Sequence, residues 1–177
     1  FDAIWGLIGP PLPNHLLKSS CVSIVTTPRL IPGARLIFSD APPITVLPQD
    51  RDGWRSLCRI ISRGRLKAKK GVCSLQLSDL EEFKNGLNLL IWPQVQIVED
   101  CPVDWQQIAQ RLMRCFNGKI YVLMVPYYNG HDAARFEYIA DQAQNLGLPT
   151  LASAAPYMHH GARRKLADVV TAIRTGG

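Results

Sequence analysis

The sequence lacks the features that define several large classes of protein. It contains no run of about 18 apolar residues, so no membrane-spanning helix is predicted. Its five cysteines are odd in number and include no CxxC pair, which argues against a disulfide framework and against a zinc ribbon. The GxGxxG, P-loop, HExxH and GxSxG motifs are all absent. These absences exclude the commonest enzyme signatures and favour a reducing, cytoplasmic location.

The composition is that of one globular domain. The chain has 177 residues, of which 47% are hydrophobic and 19% are charged, and its net charge is +6. A moderately basic domain favours polyanionic partners. The apolar start, FDAIWGLIGPPLP, has no basic region and is interrupted by prolines, so a signal peptide is not predicted. Because residue 1 is phenylalanine, we expect a processed chain or a piece of a larger one.

Segments typical of strands and helices alternate from residue 21 onward, which predicts βαβ units and a mainly parallel sheet, open or closed into a barrel. Strands are predicted at 21–26, 34–38, 44–47, 87–92, 119–125 and 149–153, and helices at 50–64, 77–86, 102–116, 131–147 and 162–176. In the 50–64 helix, one apolar stripe is predicted from Trp54, Leu57, Cys58 and Ile61. In the 77–86 helix, Ser78 and Glu81 predict a capping box.

The basic residues between 51 and 70 are the most informative feature. Arginines recur at every fourth position of the 50–64 helix, so they share one face, and the following segment RGRLKAKKG contains no acidic residue. The predicted contacts to nucleic acid are Arg51, Arg55, Arg59, Arg63, Arg65, Lys67, Lys69 and Lys70. Such contacts would bind phosphates without sequence preference. The alternative is a solvated helix face followed by a mobile loop. No aromatic residue is interleaved between Arg55 and Lys70, so base stacking there is not predicted.

Two patterns could hold a metal ion. The sequence DRD at 50–52 has a spacing that can bind magnesium, but aspartates just before a helix more often cap its first amides. The four histidines are His15, His131, His159 and His160. A zinc site needs three or four convergent ligands, and adjacent residues on a strand point to opposite faces, so His159 and His160 are not expected to chelate one ion together.

Several segments, in order, resemble one known family. They are IPGARLIF, LPQDRDGWRSLCRIISRGRLKAKKG, LSDLE and LGLPTLASAAPYMHHGARRKLADVVTAIRTG. Together they resemble the PHP (polymerase and histidinol phosphatase) domain of bacterial C-family DNA polymerases, in the error-prone, damage-induced branch. The resemblance covers about residues 30–177, whereas residues 1–29 form a divergent segment. It implies a distorted parallel β/α barrel, here incomplete at its N-terminal strands, and a role in DNA synthesis across lesions within a longer chain.

The metal ligands that the resemblance implies are mostly missing. Metal-binding members carry an opening HxH pair, which is absent here. The position of a family glutamate falls at Ala34 and Arg35, and the expected Asp-x-His falls on Ala155, Pro156 and Tyr157. His159 is the one remnant. We therefore interpret PYMHHG as a degenerate metal motif and expect no cofactor, with a divalent metal only if the residual site is competent to hold one.

Three hypotheses follow. The first is a non-catalytic PHP module of an error-prone polymerase, which serves as a scaffold or contacts DNA weakly and has the remaining polymerase domains, or other replication and repair proteins, as partners. The second is a metal-dependent phosphoesterase with the same fold. The third is a gene fragment without a function of its own. No membrane partner is expected.

Overall fold

The computed structural model describes residues 2–8, 29–94, 104–116, 119–155 and 160–176. These residues form six strands, five helices and one short 3-10 turn. In chain order the elements are β1 (Asp2–Ile8), β2 (Arg29–Leu36), β3 (Ile44–Pro48), α1 (Arg51–Leu66), α2 (Leu77–Glu82), β4 (Leu87–Ile91), α3 (Trp105–Cys115), β5 (Ile120–Met124), α4 (Asp132–Asn145), β6 (Thr150–Ala152), the 3-10 turn (Gly161–Arg163) and α5 (Arg164–Thr175). The predicted strand at 21–26 lies outside the described residues.

The strands form one mixed sheet in the order of the chain. The pairs β1–β2, β2–β3 and β3–β4 are antiparallel, and only β4–β5 and β5–β6 are parallel. The link at 37–43 is too short for a parallel crossover, which needs a dozen or more residues. The prediction of a mainly parallel sheet is therefore wrong for the first half of the chain and confirmed for the two βαβ units of the second half.

The sheet is open within the described part of the chain, with β1 and β6 at its edges. The α/β class is thus confirmed, whereas a closed barrel is not observed. In backbone register, Asp2 to Ile8 run opposite Arg35 to Arg29, so β1 covers the edge of β2.

The main core lies between one face of the sheet and the helices. Alternate residues of the strands point into it, such as Ile44 and Val46 of β3, both fully buried. They pack with Leu57 of α1, Leu112 of α3 and Ile139 of α4 in one cluster. This arrangement follows from the period of two along strands and of 3.6 along helices. None of the helices in the described ranges is long and apolar enough to cross a membrane.

Helix α1 is rotated relative to the stripe that the sequence predicts. Its buried residues are Gly53, Leu57, Ile60 and Gly64, whereas Trp54 is 46% exposed. Glycines let the helix approach closely, since a Cβ atom on Gly53 would lie 1.9 Å from the carbonyl oxygen of Gly86. The predicted stripe is therefore wrong at Trp54, because the sequence pattern counts apolar side chains and ignores buried glycines.

Helix α2 is capped earlier and ends earlier than predicted. Gln76, not Ser78, is the N-cap, and the carboxylate of Asp79 accepts a hydrogen bond from the Gln76 N–H at 3.0 Å. The backbone N–H of Leu77 donates to the Asp40 carboxylate at 2.9 Å. The capping box is thus present but lies two residues before its predicted position, and Asp79 takes the role that was predicted for Glu81.

Candidate nucleic-acid interface

The start of α1 is fixed by the aspartates of the DRD motif. Asp50 is the N-cap, and its carboxylate accepts a hydrogen bond from the Gly53 N–H at 2.8 Å. Asp52, in the first turn, pairs with Arg55 at 2.7 Å. Carboxylates at a helix N-terminus are stabilised by its free N–H groups and its dipole. The capping interpretation of this motif is confirmed, and both aspartates already have partners.

The arginines of α1 lie on its solvent side, as predicted, but they differ in their surroundings. Arg51, Arg55 and Arg59 are exposed, and the side chain of Arg63 retains 33% exposure. Arg63 forms a bidentate ion pair with Glu82 of α2, in which its Nη2 donates to Glu82 Oε1 at 2.8 Å. One of the four arginines predicted to share a face of α1 is therefore bound by a neighbouring carboxylate and is not available to a ligand.

The segment after α1 contains a second such pair. The ammonium of Lys67 donates to the carboxylate of Asp79 at 2.6 Å, and Arg63 approaches the same carboxylate at 3.8 Å. Asp79 is 3% exposed. Lys69 and Lys70 are fully on the surface, and Arg65 is also exposed. Helix α2 thus brings acidic groups to a basic stretch that contains none of its own.

These contacts shift the ionisation of the groups involved. Burial alone would raise the pKa of Asp79, but the hydrogen bonds from Gln76 N–H and Lys67, with the charges of Lys67 and Arg63, hold that pKa below its usual value. The hydrogen bond from Arg63 lowers the pKa of Glu82, and the same bond raises the pKa of Arg63. All of these groups are charged at neutral pH, so the ion pairs persist there.

An aromatic ring from α2's end lies within the basic surface, although the sequence between Arg55 and Lys70 contains none. Phe83 follows α2, and the guanidinium carbons of Arg63 and Arg59 lie 4.7 and 5.9 Å from its ring centre. A shallow, open groove of about 640 Å³ passes over this region, and its lining includes Cys58, Leu66 and Phe83. Because two guanidinium groups already pack on Phe83, the ring is not free for a base to stack on it.

Four cations therefore remain as candidates for phosphate contact. These cations are exposed and make no ion pair with any residue that the structure describes. They are Arg51, Arg59, Lys69 and Lys70. The sequence did not predict the contacts of Asp79, Glu82 and Phe83, which engage some of the basic residues and leave others exposed. The acidic spacing of the α2 segment was visible in the sequence, but its meeting with α1 depends on the tertiary packing.

The described positions of the degenerate metal motif lie along the edge that the carboxyl ends of the strands form, but on strands that are not neighbours. Arg35 is near the end of β2. Ala155 follows β6 and, like Tyr127 after β5, packs against a small buried cluster that includes Trp92. The guanidinium carbon of Arg35 lies 5.1 Å from the ring centre of Trp92, just after β4. Tyr157 and His159 lie outside the described residues. This edge is the usual ligand-binding edge of parallel sheets, but neither Arg35 nor Ala155 can ligate a cation.

No metal-binding group is present elsewhere in the described ranges either. They contain no cluster of three or more histidine, cysteine, aspartate or glutamate residues that could hold an ion. His131 precedes α4 at the surface, and the Nδ1 atom of His160 accepts a hydrogen bond from the Ala162 N–H at 3.2 Å. The described residues therefore do not fit the metal centre that the resemblance implies.

Another strongly bound arginine stabilises the loop after β5. Arg135 of α4 is 2% exposed, pairs with Asp132 and donates to the carbonyl oxygen of Val125 at 2.8 Å. Asp132 also accepts hydrogen bonds from the backbone N–H groups of Tyr127 and Tyr128, and these bonds help to lower its pKa. This network attaches the loop to α4, and no motif in the sequence predicted it.

The fold and the basic face define an α/β domain with a cationic helix and no metal centre within its described residues. The chain is 38% identical over 144 residues to the error-prone DNA polymerase of Sinorhizobium medicae, a match that covers 81% of this chain and 13% of that polymerase. It is 35% identical over 157 residues to the error-prone DNA polymerase of Rhodopseudomonas palustris (strain BisB5), covering 85% of this chain and 13% of the relative.

A third relative gives the same result. Error-prone DNA polymerase 1 of Rhizobium meliloti is 38% identical over 144 residues and is covered over 13% of its length. No protein-family model matches the chain. The chain therefore matches a piece of error-prone DNA polymerases and spans about one eighth of their length.

Proposed function

We propose that this chain is the PHP-type module of an error-prone, translesion DNA polymerase and acts without catalysis of its own. The match of four fifths of the chain to one segment of these polymerases is the observation that carries the proposal. Residues 30–177 would form the module, and residues 1–29 its divergent N-terminal segment. The remaining domains of the polymerase, which make up most of each relative, would be its partners.

A scaffold role is favoured over phosphoester hydrolysis by the chemistry of the sheet edge. Hydrolysis with a metal requires carboxylates or imidazoles that generate a hydroxide and hold the phosphoryl oxygens. At this edge Arg35 carries the opposite charge, and Ala155 has no donor atom. A module of this kind contributes surfaces that position its neighbours.

The exposed cations give the module a second contribution, contact with the DNA backbone. Arg51 and Arg59 lie on α1, and Lys69 and Lys70 follow it, without carboxylate partners in the described part of the chain. Cations of this kind bind phosphates independently of sequence, and each contact adds to the salt dependence. Binding of this origin would be weak, because only about four phosphates would be contacted.

A chimera tests the module directly. The matched segment of the Sinorhizobium medicae polymerase is replaced by this chain, and primer extension is measured on an undamaged template and on a template with an abasic site. If the chain is an equivalent module, the chimera keeps extension within about tenfold of the parent. A chimera that folds and elutes like the parent but extends neither template would overturn the proposal.

A matched chimera controls for stability. It carries Gly53→Ala, which disrupts the packing of α1 against the turn at Gly86. This chimera should lose activity on warming before the unmodified one does. The comparison separates a poorly folded insert from a well-folded insert of the wrong kind.

A further inference from the structure

Helix α5 carries an apolar stripe that remains exposed. Leu166, Val169, Val170 and Ile173 recur at the i, i+3, i+4 and i+7 spacing, so they lie on one side of the helix. Their side chains are between 54% and 76% exposed. Large apolar side chains that are grouped in this way on a surface mark a site of interaction with another molecule. We call these four residues the α5 stripe.

The charges at the N-terminal end of the α5 stripe are positive. Arg163, Arg164 and Lys165 are exposed there, and they make no ion pair within the described ranges of the chain. The first turn of α5 contains no acidic residue, although a helix N-terminus favours anionic groups. Asp168 lies two residues from Leu166 and therefore on the other side of the helix. Carboxylates of a partner would be complementary to this end of α5.

The partner that fits α5 is a protein surface with an apolar groove and an acidic rim. A second copy of the chain would bring the same cations, and helices on lipid surfaces commonly carry Trp or Phe, which the α5 stripe lacks. About seven eighths of each matched polymerase lies outside the matched segment. We propose that the α5 stripe docks into such a groove on the remaining domains of the polymerase, an inference that rests on the proposed function.

Hydrogen exchange of the α5 backbone amides tests the docking, in the 177-residue chain alone and in its chimera with the Sinorhizobium medicae polymerase. Docking should slow this exchange in the chimera by about tenfold or more relative to the chain alone. Leu166→Gln/Ile173→Gln should abolish that added protection. Because both side chains are exposed, the same substitutions should leave the Tm of the isolated chain within about 2 °C.

Two further variants test the face and the charge. Thr171→Gln/Thr175→Gln is the matched control, because it places two glutamines opposite the α5 stripe, where both hydroxyls bond to the backbone of the same helix. This control should keep the added protection within about twofold. Arg163→Glu/Lys165→Glu should reduce the protection severalfold at low salt and less at high salt. Protection that survives this charge reversal unchanged would overturn the acidic rim.

Primer extension by the same chimera separates the docking from the proposed function. A chimera that extends primers while α5 exchanges as fast as in the isolated chain would overturn the docking alone. A chimera that extends no primer but protects α5, with the protection lost in Leu166→Gln/Ile173→Gln, would support the docking and contradict the proposed function. A dimer of the isolated chain in sedimentation, or its binding to anionic vesicles, would also overturn the inference if Leu166→Gln/Ile173→Gln abolished it.

Discussion

Substituting alanine for Gly53 should destabilise the protein, although helix propensity predicts the opposite. Gly53 lies inside α1, where alanine is favoured over glycine by about 1 kcal/mol. In the fold, however, an alanine Cβ atom would lie 1.9 Å from the Gly86 carbonyl oxygen and 2.8 Å from its carbonyl carbon. Real Cβ contacts essentially never fall below 3.0 Å, so the two backbones must separate by at least 1.1 Å.

That separation disturbs two hydrogen bonds. The Gly86 carbonyl accepts from the Gln49 N–H at 2.8 Å, and the Gly53 N–H donates to Asp50 at 2.8 Å. Gly86 also has a φ of 69°, so its turn cannot relax freely. Overpacking costs about 1–3 kcal/mol and each weakened hydrogen bond about 1 kcal/mol. After subtraction of the propensity gain, the net loss of stability is about 2–4 kcal/mol.

Thermal unfolding followed by circular dichroism measures this effect. For a chain of this length, about 2–4 °C of Tm is lost for each kcal/mol, so Gly53→Ala should lower Tm by about 5–15 °C. Gly161→Ala is the matched control, because its Cβ position has no heavy atom within 4 Å. The control should change stability by less than about 0.5 kcal/mol. An unchanged or higher Tm for Gly53→Ala would refute the close approach of α1 to the turn.

Two further predictions concern the ion pairs of α2. Glu82→Gln releases Arg63 from its carboxylate, so DNA affinity should rise severalfold at low salt. The slope of log affinity against log salt should steepen by about 0.9. Fluorescence anisotropy measures both, and an unchanged slope would show that Arg63 does not reach DNA. Because the folded pKa of Asp79 is lowered, its contribution to stability is fully present above the unfolded pKa of about 3.9 and is lost as pH falls through the folded value. Urea unfolding from pH 7 to pH 3 should show that loss of stability in the wild type and a weaker loss in Asp79→Asn. At pH 7 the substitution should itself lower the free energy of unfolding by about 1–3 kcal/mol. Identical pH profiles would contradict the role of the Asp79 carboxylate in stability.

Local structure was largely predictable from the sequence. The periodicity of 44–47, 87–92 and 119–125 indicated strands, and the structure confirms them at Ile44–Pro48, Leu87–Ile91 and Ile120–Met124. These segments have strong alternating or continuous apolar patterns, and short-range physics determines them. The direction of β2 relative to β3 was not predicted, because it depends on the length of the 37–43 link and on pairing between strands.

The candidate site was predictable in composition but not in its state of charge. The spacing of four residues between successive arginines correctly predicted that they share one face of α1. Their neutralisation was invisible, since Glu82 lies 19 residues from Arg63 and Asp79 lies 12 residues from Lys67. Likewise, the contact of Arg35 with Trp92 joins two strands that no local pattern relates. Pairings across the fold, rather than residue types, decide which cations remain available.

The most direct test of the proposed DNA contact is the salt dependence of DNA binding in two double variants. Arg51→Ala/Arg59→Ala removes exposed arginines without carboxylate partners in the described chain, and Arg55→Ala/Arg63→Ala removes arginines that are ion-paired. Both variants lower the net charge by the same amount, so a difference between them reports contact rather than overall charge. Anisotropy with a labelled duplex, at several salt concentrations from about 50 to about 200 mM, gives the slope for each.

The account predicts that Arg51→Ala/Arg59→Ala reduces the magnitude of the slope by about 1.8 and weakens binding to every duplex sequence equally. The Arg55→Ala/Arg63→Ala variant should change the slope by less than half as much. Equal losses in the two variants, or wild-type binding that does not depend on salt, would contradict a DNA contact through the unpaired cations of α1.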